Sequence, residues 1–222
     1  MPDLAALRRD IDALDADLRA LLRARAQLVA KVAASKAQSG AEGALRPVRE
    51  AQQMAALLAW QEAEAPDLTA RGVLAIWREI ISMALAQQGG LTIYATDAAM
   101  MIARTHFGAS LDYTLTDAPA AMQASGADVK AVGVVTLDEA QAPPSGAQVF
   151  ARLPIIGAPT CLCYGQTDEA PANGAVMLVE RAAARDGDTV LARLADGVLV
   201  ETHTPGNDRV WGHYLPVGAG HE

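Results

Sequence analysis

The first residues that suggest chemistry are two cations on one face of a predicted helix. Arg25 occupies a position in an N-terminal heptad pattern where an apolar residue is expected, and Lys36 follows eleven residues later. Eleven steps of 100° return to within about 20° of the starting direction, so the two side chains share a face, roughly 16 Å apart along the axis. Val29 and Val32 stand between them. This pattern fits a small, doubly negative molecule that carries a carbon ring.

Three further polar residues are placed where they could complete such a site. Gln88 puts an amide on the apolar stripe of a third predicted helix, and Arg49 and Glu50 open the second one. A carboxylate near a helix N-terminus is favoured by the helix dipole. Taken singly, each of these residues also fits a solvated helix end, and an arginine on a seam also fits an ion pair across a helical bundle. Only the combination points to a binding site.

The element that carries the two cations is a long amphipathic helix. We expect it to run from Leu4 to Ala37 with Asp3 as its N-cap, roughly 50 Å in length. Its apolar residues follow a 3,4 spacing: Leu4, Leu7, Ile11, Leu14, Leu18, Leu21, Leu28 and Val32. A helix this long with one apolar seam needs partner helices, either from its own chain or from a second copy.

Two shorter helices and a break follow. Pro47 suits the first turn of a helix over residues 48–60, and Asp67 or Thr69 caps a third helix that ends at Gln88. Gly89 and Gly90 then interrupt the helical pattern. The buried stripe of the third helix is expected to contain Val73, Ile76, Trp77, Ile80, Ile81, Ala84 and Leu85.

The second half of the chain has a different pattern. Segments 91–136 read as strand, helix, strand, helix, strand, which favours a parallel sheet. Six further strand candidates with short connections follow residue 147 and are expected to be antiparallel. The sequence therefore predicts an α+β protein of two domains, a helical one over 1–90 and a small α/β one over 91–222.

Composition excludes several classes of protein. Residues 1–90 have no net charge and residues 91–222 carry −8, which disfavours nucleic acid and anionic membranes as partners. No apolar run reaches 18 residues and the N-terminus lacks an apolar signal core, so we expect a cytoplasmic protein. Cys161 and Cys163 are expected in the core. The histidines show no metal-ligand spacing, and neither a metal nor a cofactor is expected: His106, His203, His213 and His221.

The polar positions and their spacing resemble those of the all-helical, intertwined-dimer chorismate mutases. The resemblance is carried by LAALRRDIDALDADLRALLRARAQLVAKVAASK, RPVREAQQMAALL and WREIISMALAQQ, about 85 of 222 residues. It implies that the chain rearranges chorismate to prephenate, as a step towards phenylalanine and tyrosine, and that it acts as a homodimer. Two positions depart from the pattern: Arg46 stands where some members have Asp, and Ala84 where some have Ser.

The resemblance also assigns roles to residues. Arg8 and Arg25 match its two active-site arginines, which suit the carboxylates of chorismate because guanidinium binds them bidentately. Lys36 and Gln88 would face the ether oxygen, which gains negative charge as its bond to carbon breaks. Glu50 would accept from the ring hydroxyl, with Arg49 beside it. Since Arg8 and Arg25 lie roughly 25 Å apart on one straight helix, Arg8 would have to come from a partner chain.

The segment after Gly90 weakly resembles the start of a prephenate dehydratase domain, in LTIYAT, ARTHFG and GADVKAVGVV. The Gly-Pro-x-Gly-Thr loop that such a domain carries after its first strand is replaced here by Ala95-Thr96-Asp97. We therefore expect a degenerate domain without dehydratase activity, which supports the dimer or senses an aromatic amino acid. Two other functions remain open: an isochorismate-pyruvate lyase, and a non-enzymatic dimeric module that senses a ligand.

Overall fold

The computed structural model describes residues 3–39 and 45–217. Its helices and its mixed sheet confirm the α+β class expected from the sequence. The chain divides into two compact units, residues 1–42 and residues 43–222. Residues 40–44, between the first two predicted helices, lie outside the described residues, as does His221. The domain boundary expected near residue 90 stays a prediction.

In its described residues, the first unit is the helix α1 (Leu4–Ser39). Asp3 caps it as expected, because its Oδ1 accepts a hydrogen bond from the Ala5 backbone N–H at 3.1 Å. The large apolar side chains of this helix are exposed in the single chain, by 41 to 66 %: Leu4, Leu7, Ile11, Leu14, Leu18, Leu21, Leu22, Leu28 and Val32. The predicted seam is therefore present, and in the single chain it is exposed to solvent.

The second unit begins with two packed helices, α2 (Pro47–Glu64) and α3 (Ala70–Gln87). Pro47 lies in the first turn of α2, where its missing N–H is not needed. Thr69 caps α3, since its Oγ1 accepts from the Gly72 N–H at 3.2 Å. Both helix starts were predicted from the sequence, while α2 runs four residues further than the predicted end at Trp60.

The buried stripe of α3 differs from the predicted one. Ile76 is 60 % exposed, and Trp77 and Ile80 are only half-buried. The residues that are buried are Val73, Leu74, Arg78, Ile81, Ser82, Ala84 and Leu85. The prediction is confirmed for Val73, Ile81, Ala84 and Leu85 and was wrong for the other three residues. The buried face is turned towards Leu74 and Arg78, and it admits an arginine because the charge of Arg78 is paired.

The rest of the described unit is built on a nine-stranded sheet. Its first part alternates strands and helices: β1 (Thr92–Ala95), α4 (Asp97–Phe107), β2 (Asp112–Leu115), α5 (Ala118–Ala127) and β3 (Ala131–Thr136). β1 pairs in parallel with β2 on one side and with β3 on the other, which confirms the parallel arrangement expected for this segment.

All six later strand candidates are strands. They are β4 (Gln148–Leu153), β5 (Cys161–Gly165), β6 (Val176–Arg181), β7 (Thr189–Leu194), β8 (Gly197–Thr202) and β9 (Arg209–Tyr214). With β1, β2 and β3 they form one sheet in the order β2-β1-β3-β5-β4-β9-β6-β8-β7. Their pairings are antiparallel, as expected, except that β4 and β9 meet in parallel at Val149 and Gly212. A Cβ at Gly212 would collide with the Val149 carbonyl oxygen, so this close approach requires glycine.

The core lies on both faces of this sheet. Cys161 and Cys163 are fully buried free thiols of β5, which confirms their expected place in the core. Trp211 is also buried, and its indole N–H donates to Glu180 at 2.9 Å.

Within residues 3–39 and 45–217, no helix has the length and apolarity needed to cross a membrane. The same residues contain no group of three or more His, Cys, Asp or Glu side chains arranged to hold a metal ion.

A buried ion pair joins β6 to the turn before β7. Arg181 Nη1 donates to both carboxylate oxygens of Asp188, at 2.8 and 2.7 Å, and both side chains are 1 % exposed. Burial alone would raise the pKa of Asp188. Hydrogen bonds from the Arg185 N–H and the Thr202 hydroxyl, together with the bond and charge of Arg181, outweigh burial and hold that pKa below its ordinary value.

We predict that Asp188→Asn lowers the free energy of unfolding by about 3 kcal/mol at pH 7, because it leaves a buried guanidinium without its full counter-charge. A depressed pKa contributes stability above the unfolded-state value near 3.9, and that contribution is lost as the pH falls through the folded-state value. The difference between wild type and variant should therefore shrink in acid. Urea unfolding at several pH values measures both effects.

The matched control is Arg209→Gln, which removes an ion pair to Glu180 whose arginine is 64 % exposed. An exposed pair contributes at most about 1 kcal/mol. Equal losses for the two variants would show that burial does not set the strength of the Arg181–Asp188 pair.

Candidate functional site

The six residues expected to form a site fall in both units. Arg8, Arg25 and Lys36 belong to α1, and the other three belong to the unit that starts at residue 43: Arg49, Glu50 and Gln88.

On α1, the two cations that suggested a site share a half-buried face. Arg25 and Lys36 are both half-buried, as is Val29 between them, whereas Val32 is half exposed. Burial lowers the pKa of Arg25, but an arginine starts so high that it stays charged at neutral pH. The sequence-derived spacing applies, because α1 is one continuous helix from Leu4 to Ser39.

Arg8 lies on the same helix and is exposed. Seventeen residues of α-helix separate it from Arg25, which corresponds to about 25 Å along the axis. A compact dianion shorter than about 10 Å cannot contact both side chains of one copy of α1. Arg25 and Lys36 therefore form a pair that one small ligand can contact, whereas Arg8 of the same copy lies too far away to join them.

In the second unit, Glu50 is held by an ion pair that the sequence did not reveal. Arg78 Nη1 on α3 donates to Glu50 Oε2 on α2 at 3.1 Å. The arginine side chain is 7 % exposed and the glutamate side chain 16 % exposed. Because the pair is mostly out of water, it fixes the position of the Glu50 carboxylate and ties the two helices together.

The environment of this pair shifts several pKa values. Burial raises the pKa of Glu50, and the charge of Arg78 opposes that rise. Burial also raises the pKa of the Cys163 thiol, which lies near the pair. Burial, reinforced by the positive charge of Arg78, holds the pKa of His106 well below its ordinary value, so the imidazole is neutral at pH 7.

The start of α2 is anchored by acidic residues from the strand-rich part of the unit. The Val48 backbone N–H donates to Glu169 Oε2 at 2.8 Å, which satisfies one of the donors of the first turn. Arg46 Nη1 lies 2.6 Å from Asp168 Oδ1. Arg46, which departs from the resembled pattern, thus helps to fix the N-terminus of α2. The first turn of this helix carries Arg49 and Glu50, two residues of the proposed site.

Gln88 and Arg49 lie at helix ends, with different exposure. Gln88 is half-buried and is the C-cap of α3, one residue beyond the last helical position. Its side-chain amide donates to the Ala84 carbonyl oxygen at 3.1 Å, which holds the side chain against its own helix. Arg49 is exposed in the first turn of α2.

Arg78 is the residue that sequence reasoning missed. It sits one turn from Leu74 and from Ile81, on a stripe of buried residues. Arg25 was selected because it is a cation on an apolar helix face. The same criterion would have selected Arg78 if the predicted buried stripe of α3 had run through Leu74 and Leu85.

Comparison with known proteins gives a match to a family model in the N-terminal part of the chain. Residues 7–89 match the sequence model of the chorismate mutase type II family. No curated protein and no solved structure matches the chain. The matched segment includes all six residues discussed above and ends where the second half begins.

We predict that Arg78→Met lowers the free energy of unfolding by about 3 kcal/mol at pH 7.5, because Glu50 is left as a buried charge without its partner. Because burial holds the pKa of Glu50 above its ordinary value, Glu50 takes up a proton as the pH falls and the ion pair is then lost in the wild type as well. The difference between wild type and variant should therefore shrink between pH 7.5 and pH 4.5. Urea unfolding at the two pH values measures the difference.

Glu50→Gln and the double variant of Arg78→Met with Glu50→Gln complete a cycle around this pair. In the Glu50→Gln background, the cost of losing Arg78 should hardly depend on pH between 4.5 and 7.5. A pH-independent loss for Arg78→Met in the wild-type background would contradict an ionised pair at this position.

Proposed function

We propose that the chain is a chorismate mutase, which rearranges chorismate to prephenate in the biosynthesis of phenylalanine and tyrosine. The observation that carries the proposal is the match of residues 7–89 to the chorismate mutase type II family, a segment that includes every residue of the proposed site. At the level of the family, the match supports an isomerase. The cytoplasmic location expected from the sequence stays a prediction.

The chemistry requires charge and shape rather than a reactive side chain. The rearrangement of chorismate is intramolecular, so a site accelerates it by holding a compact conformer and by stabilising the charge that develops on the ether oxygen. We assign Arg8 and Arg25 to the two carboxylates. Lys36 and Gln88 face the ether oxygen, each as a hydrogen-bond donor.

Glu50 accepts a hydrogen bond from the ring hydroxyl, and Arg49 adds positive charge beside it. Arg78 has a positioning role, because its guanidinium contacts Glu50 at 3.1 Å and sets the direction of the carboxylate. To donate its amide to substrate, Gln88 turns away from the Ala84 carbonyl, a change of one side-chain rotamer at a helix end.

We also propose a homodimer with shared sites. The large apolar side chains of α1 are 41 to 66 % exposed in the single chain, which supports a second copy as their partner. The distance between Arg8 and Arg25 supports the same conclusion, since one substrate reaches both only if they come from different copies.

We assign residues 91–222 a supporting role without dehydratase activity. The position where a dehydratase would carry its Gly-rich loop is occupied by Thr96, whose Oγ1 donates to Glu139 at 2.8 Å. This carboxylate also accepts from the Thr136 backbone and hydroxyl, so the region is closed by its own hydrogen bonds.

We predict that Lys36→Ala lowers kcat/KM for chorismate by at least about a hundredfold, because it removes a donor to the oxygen that gains charge. Lys31→Ala is the matched control, since Lys31 is an exposed lysine of the same helix on another face. It should keep near wild-type activity. Loss of chorismate absorbance with purified protein gives both rates.

The same assay with isochorismate tests the lyase. If the chain converts isochorismate to salicylate and pyruvate but does not convert chorismate, it is the lyase and not the mutase. No turnover of either substrate would favour the non-enzymatic module.

We predict that Arg8→Ala and Arg25→Ala are each nearly inactive, and that mixing the two variants restores activity. A mixed dimer holds one site with both arginines intact, so up to about a quarter of wild-type activity should return at equal mixing. Subunit exchange is followed with differently tagged chains. Complete exchange without any recovery would contradict a site shared between copies.

A further inference from the structure

A second site candidate lies in the unit that starts at residue 43, and one of its lining residues is Arg78, the partner of Glu50. A cavity of about 320 Å³ lies between α3, α4 and the segment that follows β4. Its walls are mainly apolar, formed by Leu74, Ala75, Met101, Ile102, Ile155 and Ile156. This volume and this lining are those of a small-molecule site.

The polar groups that line the cavity are cationic or neutral. Arg71 and Arg78 lie two turns apart on the same face of α3, with Leu74 between them. Thr105 and the neutral His106 come from α4. Among the residues that the structure describes, none of those lining the cavity carries a carboxylate. A ligand there meets an apolar wall with positive charge along one side.

Arg71 contributes a positive charge that the described residues do not neutralise. It is exposed in the first turn of α3 and forms no ion pair within residues 3–39 and 45–217. A cation in the first turn is unfavourable, because the N-terminal end of a helix is itself positive. The side chain and the helix end therefore both favour an anion at this end of the cavity.

The other end of the same helix face holds a buried donor. Arg78 is 7 % exposed, and its Nε–H has no hydrogen-bond partner in the described part of the chain, although its Nη1 is bonded to Glu50. His106 lines the same end of the cavity, and its ring packs edge-on against Phe107. A buried N–H in this state at a cavity wall is satisfied by an acceptor that a ligand or an ordered water brings.

We propose that this cavity binds a small monocarboxylate with an apolar body, whose carboxylate is held by Arg71 while the body lies between α3 and α4. A single negative charge fits better than two. Glu50 already neutralises Arg78, so Arg71 is the one uncompensated cation of the lining among the described residues. A neutral apolar ligand would leave the positive charge of Arg71 without a counter-charge.

Binding of 3-phenylpropionate to the full-length protein, measured by calorimetry, tests the proposal. The neutral 3-phenylpropionamide is the matched probe, since it has the same body without the charge. We expect the carboxylate to bind at least about tenfold more tightly than the amide, as a charge-assisted contact to arginine requires. Equal binding of the two probes would overturn the carboxylate role, and no binding up to about 10 mM would overturn the site.

Two variants locate the probe. Arg71→Gln should weaken the carboxylate by about tenfold and leave the amide unchanged. Ala75→Leu fills the cavity and should weaken both. Arg193→Gln is the control, because Arg193 is an exposed cation of β7 outside the cavity. Unchanged binding in both cavity variants would place the probe elsewhere and contradict the proposal.

Lys36→Ala separates this site from the proposed active site. The variant should bind 3-phenylpropionate like the wild type, whether or not the chain turns over chorismate. Loss of binding in Lys36→Ala would assign the probe to the active site and would overturn a second site.

Discussion

The proposed dimer and its shared sites both depend on the apolar seam of α1. The large apolar side chains along this 36-residue helix are exposed by 41 to 66 % in the single chain. At about 25 cal/mol per Å² of apolar surface, leaving such a seam in water forgoes many kcal/mol, so the helix needs a partner surface of similar length. In the proposed homodimer, a second copy of the same helix would offer a matching seam and would bring Arg8 of one copy towards Arg25 of the other.

The second organising interaction is the ion pair between Glu50 and Arg78. It joins α2 to α3, fixes a carboxylate proposed to receive a substrate hydroxyl, and places the same guanidinium on the wall of the cavity against α4. A buried pair of this kind contributes little net stability compared with apolar packing, but removing one partner is costly. The pair therefore specifies a geometry, which is what an electrostatic mechanism requires of its scaffold.

Much of the fold followed from local pattern. Asp3, Pro47 and Thr69 marked the helix starts because capping depends on a few neighbouring atoms. The strands of the second half were located, since their alternation and turns are also local. The parallel contact of β4 with β9 was missed, because it depends on strands far apart in sequence and on the glycine at position 212 that permits the close approach.

The site was harder to predict than the fold. Charges on the heptad seam selected Arg25 and Lys36, since a cation among apolar residues of one helix is visible in sequence. Arg78 was missed because its counter-charge lies 28 residues earlier, on another helix, and nothing local shows that Glu50 reaches it. Arg71 was missed for a related reason, since its environment is formed by α4 and the segment after β4.

Sedimentation equilibrium tests whether the chain is a dimer, which a covered α1 seam and a shared site both require. We expect a mass of twice 23.1 kDa at concentrations where the protein turns over chorismate. A particle of 23.1 kDa that still converts chorismate to prephenate at full rate would contradict a shared site.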